Sequence, residues 1–227
     1  MLEQLLSLDQ RLTLLLNGSH SIYWDTFFMT VTSTVVWLPL VAVLLYVLIR
    51  NNATYNVFLV ILFIGLSILF ADQMASGICK PYFERFRPTH EPSIMYTVKV
   101  VNGYRGGLYG FFSSHAANTF AVAVFVSLLI RRLRLSIVLF IWAILNTWSR
   151  VYLGVHYAGD LLVGVVWGSL VGSLMYFIMK KISKHKNAHL ISSTYTATGY
   201  RVADADLLYA AFVLTFLYIF YRSLFVF

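Results

Sequence analysis

Residues 149–160 read SRVYLGVHYAGD, and they join two apolar runs, residues 135–150 and 161–179. An arginine, a histidine and an aspartate in one short joint are unexpected in a chain that is 59% hydrophobic and only 11% charged. Ionisable groups at a membrane boundary are costly and are generally kept for function. A soluble chain would be near 50% apolar and about 25% charged, so this composition predicts an integral membrane protein.

A spanning helix needs roughly 20 apolar residues. Outward from the joint, six runs are candidates: residues 26–49 with Pro39 as an internal kink, 57–79, 111–130, the short 135–150, 161–179 and 207–227. Leu2, Leu5, Leu6, Leu12, Leu15 and Leu16 repeat at helical spacing before the first run, with Glu3, Asp9 and Arg11 elsewhere. That pattern predicts an amphipathic helix, lying in the interface or simply solvated, rather than a cleavable leader. The fold expected is all-α: a polytopic bundle of six transmembrane helices plus the interfacial helix, with residues 1–227 forming one membrane domain.

Lys and Arg number 17 against 9 Asp and Glu. The cations sit at the ends of apolar runs and in one loop rather than along a solvated face, which argues against nucleic acid as a partner. The single cysteine, Cys79, excludes an intrachain disulfide framework. Arg50, then Arg131, Arg132 and Arg134, then Lys180, Lys181, Lys184, Lys186 and Arg201 gather on one side of the predicted bundle. With the cations around the quoted joint set aside for a ligand, this bias places those loops in the cytoplasm. Both ends of the chain and the charged joint then face outward, and the segment 181–206 reads as a flexible cytoplasmic connector.

The alternation of spans brings three clusters to the outer surface: KPYFERFRP (residues 80–88), FSSHAANT (112–119) and the opening stretch. Lys80, Arg87 and Arg150 converge there without matching acids, which implies an anionic ligand; arginine forks suit phosphate oxygens. Ser113 offers a hydroxyl, and the amides of Ser113, Ser114 and His115 would face the same anion if a helix begins there. Gly103, Gly106, Gly107 and Gly110 would let backbone approach a ligand. His156 and Asp160 share a helix face at i,i+4 spacing, so the carboxylate can fix the tautomer and leave the other nitrogen nucleophilic. His115 is a candidate proton donor. A metal held by His115, His156 and Asp160 ranks below phosphate, because the surrounding cations would repel it. Asp72 lies within a span as a polar contact between helices or a partner for the basic site. Arg85, Glu84, His90 and Arg105 lie in the loops of the site, as solvated loop charges in the commoner reading and as substrate contacts in the other, and Tyr104 and Tyr109 read as members of the interfacial belt.

Lys80, Arg87 and Pro88 match K-x6-RP, and Ser149, Arg150, His156 and Asp160 match SR-x5-H-x3-D. On these motifs the chain resembles the type 2 phosphatidic acid phosphatase (PAP2) superfamily, in its small six-helix bacterial form. The family's intervening PSGH is FSSH here, with Phe112 for proline and Ser114 for glycine. The resemblance implies that Lys80, Arg87, Arg150, Ser113 and the Ser114 amide hold the phosphoryl group. It also implies that His156, oriented by Asp160, forms a phosphohistidine and that His115 protonates the leaving oxygen. No cofactor and no metal are implied.

The function expected is a membrane lipid phosphatase of a bacterial inner membrane, acting at the periplasmic face on a phosphorylated lipid. Undecaprenyl diphosphate or a lipid A phosphate is favoured; phosphatidylglycerol phosphate and phosphatidic acid also qualify. A lipid phosphotransferase using the same site and a non-enzymatic transporter of a phosphorylated lipid are the alternatives. The sequence leaves the oligomeric state open.

Overall fold

The computed structural model describes residues 2–183 and 193–225. Its elements among these residues are helical: α1 (Leu2–Leu16), α2 (Ile22–Val31), α3 (Leu38–Asn51), α4 (Thr54–Asp72), the short α5 (Lys80–Phe83), α6 (Ser114–Ile130), α7 (Leu133–Tyr152), α8 (Ala158–Ile182) and α9 (Val202–Leu224). Five helical segments are long and apolar enough to cross a bilayer: Thr34–Asn51, Thr54–Phe83, Leu133–Tyr152, Ala158–Ile182 and Val202–Leu224. The apolar α6 is shorter, at 17 residues. It is the innermost helix, packed by α4, α7 and α8, so its neighbours are protein and it need not match the bilayer. The molecule is a polytopic helical membrane bundle.

The first predicted span is corrected. Residues 26–49 do not form one kinked helix but two helices, α2 and α3, separated by a break and a 3-10 turn at Thr34–Trp37. Pro39 stands in the first turn of α3, where its missing N–H leaves no bond unmade. The freed Val31 carbonyl at the end of α2 accepts the Trp37 indole N–H at 2.8 Å. Pro81 acts similarly one span later. Before it, Gln73–Cys79 widens into a π-helix, and the chain leaves α5 through Glu84 in the left-handed region (φ 45°).

The connector is corrected too. Helix α8 runs on to Ile182 and α9 begins at Val202, because Asp204 falls in the first turn of α9, where acids favour a helix N-terminus. Between them Tyr195 and Arg201 form a bridge, and Thr198 Oγ1 donates to the Ile130 carbonyl at the end of α6. Asp206 receives a two-pronged bond from Arg132 at 3.0 Å. Lys184, Lys186 and the last two residues of the final predicted span lie outside the described residues.

Helix α1 is amphipathic as expected, and its leucines Leu5, Leu6, Leu8, Leu12, Leu15 and Leu16 are exposed. Asp9 and Thr13 turn the other way, onto the start of α8.

What brings the bundle's two central helices together is a stripe of small residues. A Cβ on Gly164, Gly168 or Gly172 of α8 would lie 2.6, 2.1 or 2.4 Å from a backbone oxygen of Ser113, Ala117 or Ala121. Only glycine permits such close backbone approach, as at small-xxx-small contacts in membranes. A Gly168→Ala substitution is therefore expected to force α6 and α8 apart. It should cost about 1–3 kcal/mol of stability, read as a lower thermal midpoint in detergent; an unchanged midpoint would mean the two helices do not meet there.

Candidate active site

Every residue singled out for phosphate chemistry lies at one end of the bundle. Lys80 opens α5, Ser113 caps α6 with His115 in its first turn, Arg150 sits near the end of α7, and Asp160 lies in the first turn of α8. His156 occupies the joint between α7 and α8. The loop carrying Arg87 is held by a bridge between Phe86 and Tyr109 and by the Arg87 N–H donating to Leu108 O at 3.0 Å. Gly110 follows, and a Cβ there would lie 3.1 Å from Arg87 and 3.4 Å from Asp160.

His156 is 1% exposed and Asp160 is fully buried. Arg87 Nη1 donates to the Val155 carbonyl at 2.8 Å and meets His156 Nε2 at 2.9 Å. A guanidinium has no lone pair to offer, so Nε2 must be the acceptor and the ring proton sits on Nδ1. That nitrogen faces Asp160 Oδ2 at 3.5 Å, longer than a formed hydrogen bond, and has no other partner among the described residues. Asp160 Oδ2 also accepts the Tyr157 N–H at 3.1 Å, and Oδ1 accepts from Arg85 Nη1 at 2.7 Å. The imidazole thus presents its lone pair from Nε2, toward the cations.

Those cations carry donors that nothing among the described residues satisfies. Arg87 Nε and Arg150 Nε are buried without a partner, and buried donors are nearly always paired. Arg150 spends its other two nitrogens on Thr32 Oγ1 (2.7 Å) and Tyr104 Oη (2.9 Å). Lys80 Nζ donates to Ser76 Oγ at 3.0 Å and to Ser114 Oγ at 3.3 Å. Ser113 Oγ accepts the Ala116 N–H as the N-cap of α6, keeping its own proton for another acceptor. The amides of Ser114 and His115 precede the first intrahelical bond, a natural anion position. His115 stands within Coulombic reach of Arg150, Lys80, Arg87 and His156. Unpaired donors and crowded positive charge call for a multiply charged anion with several oxygens.

The chain matches the PAP2 superfamily over residues 56–184. It belongs to that family. A lipid A 4'-phosphatase of Bacteroides thetaiotaomicron is 42% identical over 184 residues, covering 81% of this chain and 82% of that protein. A second lipid A 4'-phosphatase, from Porphyromonas gingivalis, is 34% identical over 175 residues, covering 77% and 74%. In fold, the chain is similar to the crystal structure of a transmembrane PAP2 type phosphatidylglycerolphosphate phosphatase from Bacillus subtilis. The TM-score is 0.60 at 22% identity, over 81% of this chain and 90% of that one.

In this PAP2 protein the altered FSSH stretch has a use for its second serine, since the Ser114 hydroxyl holds Lys80. Several neighbours of the site escaped the reading of the sequence. Arg85 is no solvated loop charge; it bridges Asp160 and, at 2.7 Å, Asp9 of α1. Tyr104 is no belt residue but an acceptor for Arg150. Thr32, in the break between α2 and α3, performs the same service. Asp72 takes Ser76 Oγ at 3.4 Å and Asn118 Nδ2 at 3.5 Å, a polar contact between helices behind Lys80. His90 pairs with Thr89, which Arg105 also binds.

Burial, and then the positive charges of Arg87, Arg150 and Lys80, push the His156 pKa well below its ordinary value. A base with a depressed pKa keeps its neutral form as the pH falls. In the protein without substrate, His156 should therefore remain unprotonated at a pH of about 6, where a free histidine is largely charged. Side-chain 15N NMR in micelles reads this directly, and an imidazolium signal for His156 at that pH would contradict it.

Proposed function

We propose that this protein is a membrane lipid phosphatase that removes the 4'-phosphate of lipid A through a phosphohistidine on His156. The reading rests above all on the buried imidazole whose proton is confined to Nδ1 by the Arg87 bond to Nε2. That arrangement makes Nε2 a nucleophile, and a purely binding site would have no need of it. The lipid A preference is supported by the two curated relatives, each at least 34% identical over more than 70% of both chains.

In the proposed reaction the phosphate enters among Lys80, Arg87, Arg150 and the first turn of α6. Arg87 exchanges its bond to Nε2 for one to a phosphoryl oxygen, which frees the lone pair. Nε2 attacks phosphorus as the bond to the lipid oxygen breaks, and His115 gives that oxygen a proton. The positive charge that develops on the imidazole is balanced by Asp160. Water then attacks the phosphohistidine, returning a proton to His115 and releasing inorganic phosphate with His156 neutral again. The cations supply the stabilisation of equatorial oxygens that phosphoryl transfer requires, and the covalent step divides the barrier. The site is proposed to face the periplasm from the inner membrane. The cations at the opposite end of the bundle, Arg50, Arg131 and Arg132 among them, support this by the positive-inside rule.

The test is phosphate release in detergent micelles containing chelator, from lipid A, undecaprenyl diphosphate, phosphatidylglycerol phosphate and phosphatidic acid. Release should be fastest from lipid A. It should fall by at least 1000-fold, roughly, in His156→Ala, and on the order of 100-fold in Arg87→Ala. A phosphoenzyme labile to acid and stable to base should be trapped from the wild type alone. Folded wild-type protein that releases phosphate from none of these lipids would overturn the hydrolase reading and favour lipid transport. Label passing to an added hydroxyl acceptor in preference to water would make the protein a phosphotransferase.

A further inference from the structure

The family match begins at residue 56, yet a carboxylate from far upstream is linked to the candidate nucleophile through Arg85 and Asp160. We propose that Asp9 of α1 is a positioning residue for His156, acting through Arg85 and Asp160. This rests on the phosphatase reading for its effect on turnover.

The geometry forms a continuous chain. Asp9 Oδ2 accepts from Arg85 Nη2 at 2.7 Å, and Arg85 Nη1 donates to Asp160 Oδ1 at 2.7 Å. Asp160 Oδ2 in turn faces His156 Nδ1. Arg85 is held from below by the Tyr157 ring, with its guanidinium carbon 3.9 Å from the ring centre. Asp9 Oδ1 accepts the Gly159 N–H at 2.7 Å, one residue before Asp160. A Cβ on Gly159 would lie 2.9 Å from Asp9 Oδ2, so the carboxylate seats against bare backbone. One carboxylate thus fixes both the backbone beside Asp160 and the guanidinium that grips its side chain.

The charges explain why a second acid belongs there. Arg85 alone would pair with Asp160 and draw its negative charge away from the imidazole. Asp9 supplies Arg85 with a second counter-charge and leaves the other oxygen of Asp160 to balance the charge that develops on His156. Without Asp9 the guanidinium is free to shift further onto Asp160, and Oδ2 is drawn away from the Nδ1 side of the imidazole. The contribution falls on the chemical step, because neither Asp9 nor Arg85 is among the groups facing the phosphate.

The test compares wild type, Asp9→Asn, Asp9→Glu, Thr13→Val, Arg85→Gln and the double variant Asp9→Asn/Arg85→Gln, as full-length protein in one detergent. Thr13 Oγ1 accepts the Ala158 N–H at 3.0 Å and donates to the Asp9 backbone carbonyl at 2.7 Å, so Thr13→Val removes another α1–α8 bond while leaving the carboxylates and the guanidinium of the charge chain in place. Asp9→Asn should lower kcat on the order of 10-fold with KM nearly unchanged, Asp9→Glu should recover part of that loss, and Thr13→Val should match wild type. In the Arg85→Gln background Asp9→Asn should have no further effect. Equal losses in Thr13→Val and Asp9→Asn, independent losses in the double variant, or a change confined to KM would each overturn the proposal. Should Asp9→Asn fail to fold, Arg85→Lys replaces it, since an ammonium keeps the charge but cannot span both carboxylates; the same kcat loss is expected, and wild-type kcat would overturn the proposal. The His156 15N resonances provide a readout without turnover: the Nδ1 resonance should shift in Asp9→Asn as the Asp160 carboxylate facing it moves, and unchanged resonances would overturn the inference. A wild type that releases no phosphate would remove the phosphatase reading alone, and the resonances would still decide the role of Asp9.

Discussion

Backbone contact between α6 and α8 is the constraint on which the candidate site depends. With glycine at 164, 168 and 172, the α8 surface meets the carbonyls of α6 with no side chain between them. The two helices are thereby locked in register, and their N-termini come to the same place. There the Ser113 N–H donates to the Asp160 carbonyl at 3.2 Å, tying the cap of one helix to the first turn of the other. His115 and the His156–Asp160 pair belong to different helices, and this contact is what makes them one site.

The charges add a second layer. Two helix N-termini, Lys80, Arg87 and Arg150 place positive potential in a buried setting, where it is weakly screened. Removing such charges from water is expensive, and the protein offsets it in part with hydroxyls: Thr32 and Tyr104 for Arg150, Ser76 and Ser114 for Lys80. Hydroxyls orient the cations without neutralising them. The acids nearby serve other partners. Asp160 is shared among Arg85, Tyr157 N–H and the side of His156 away from Arg87. The net positive charge is left for a ligand.

Much of this site was legible from the chain. The spacing of Lys80 from Arg87, and of Arg150 from His156 and Asp160, survives as proximity, because each pair lies on or beside one helix end. The outward-facing leucines of α1 were legible for a similar reason: helical periodicity is local. Helix breaks were harder. A hydropathy pattern runs unchanged through residues 26–49, and the end of α2 is decided by the Trp37 indole reaching back to Val31. The start of α9 was read too late because its acids look like loop residues until their partners Arg50 and Arg132 are in place.

The sequence alone determined that the chain lives in a membrane, that it does so as helices, and that cations and histidines gather at one end. These follow from composition, period and alternation of spans, which are properties of neighbouring residues. Only the tertiary structure decided which nitrogen of His156 carries the proton, and that Arg85, Asp9, Thr32 and Tyr104 serve the site. Asp9 and Arg85 are separated by 76 positions, and Thr32 and Arg150 by 118. A charge or hydroxyl on a loop has the same sequence signature whether it meets water or a buried partner, and helix packing alone selects between the two.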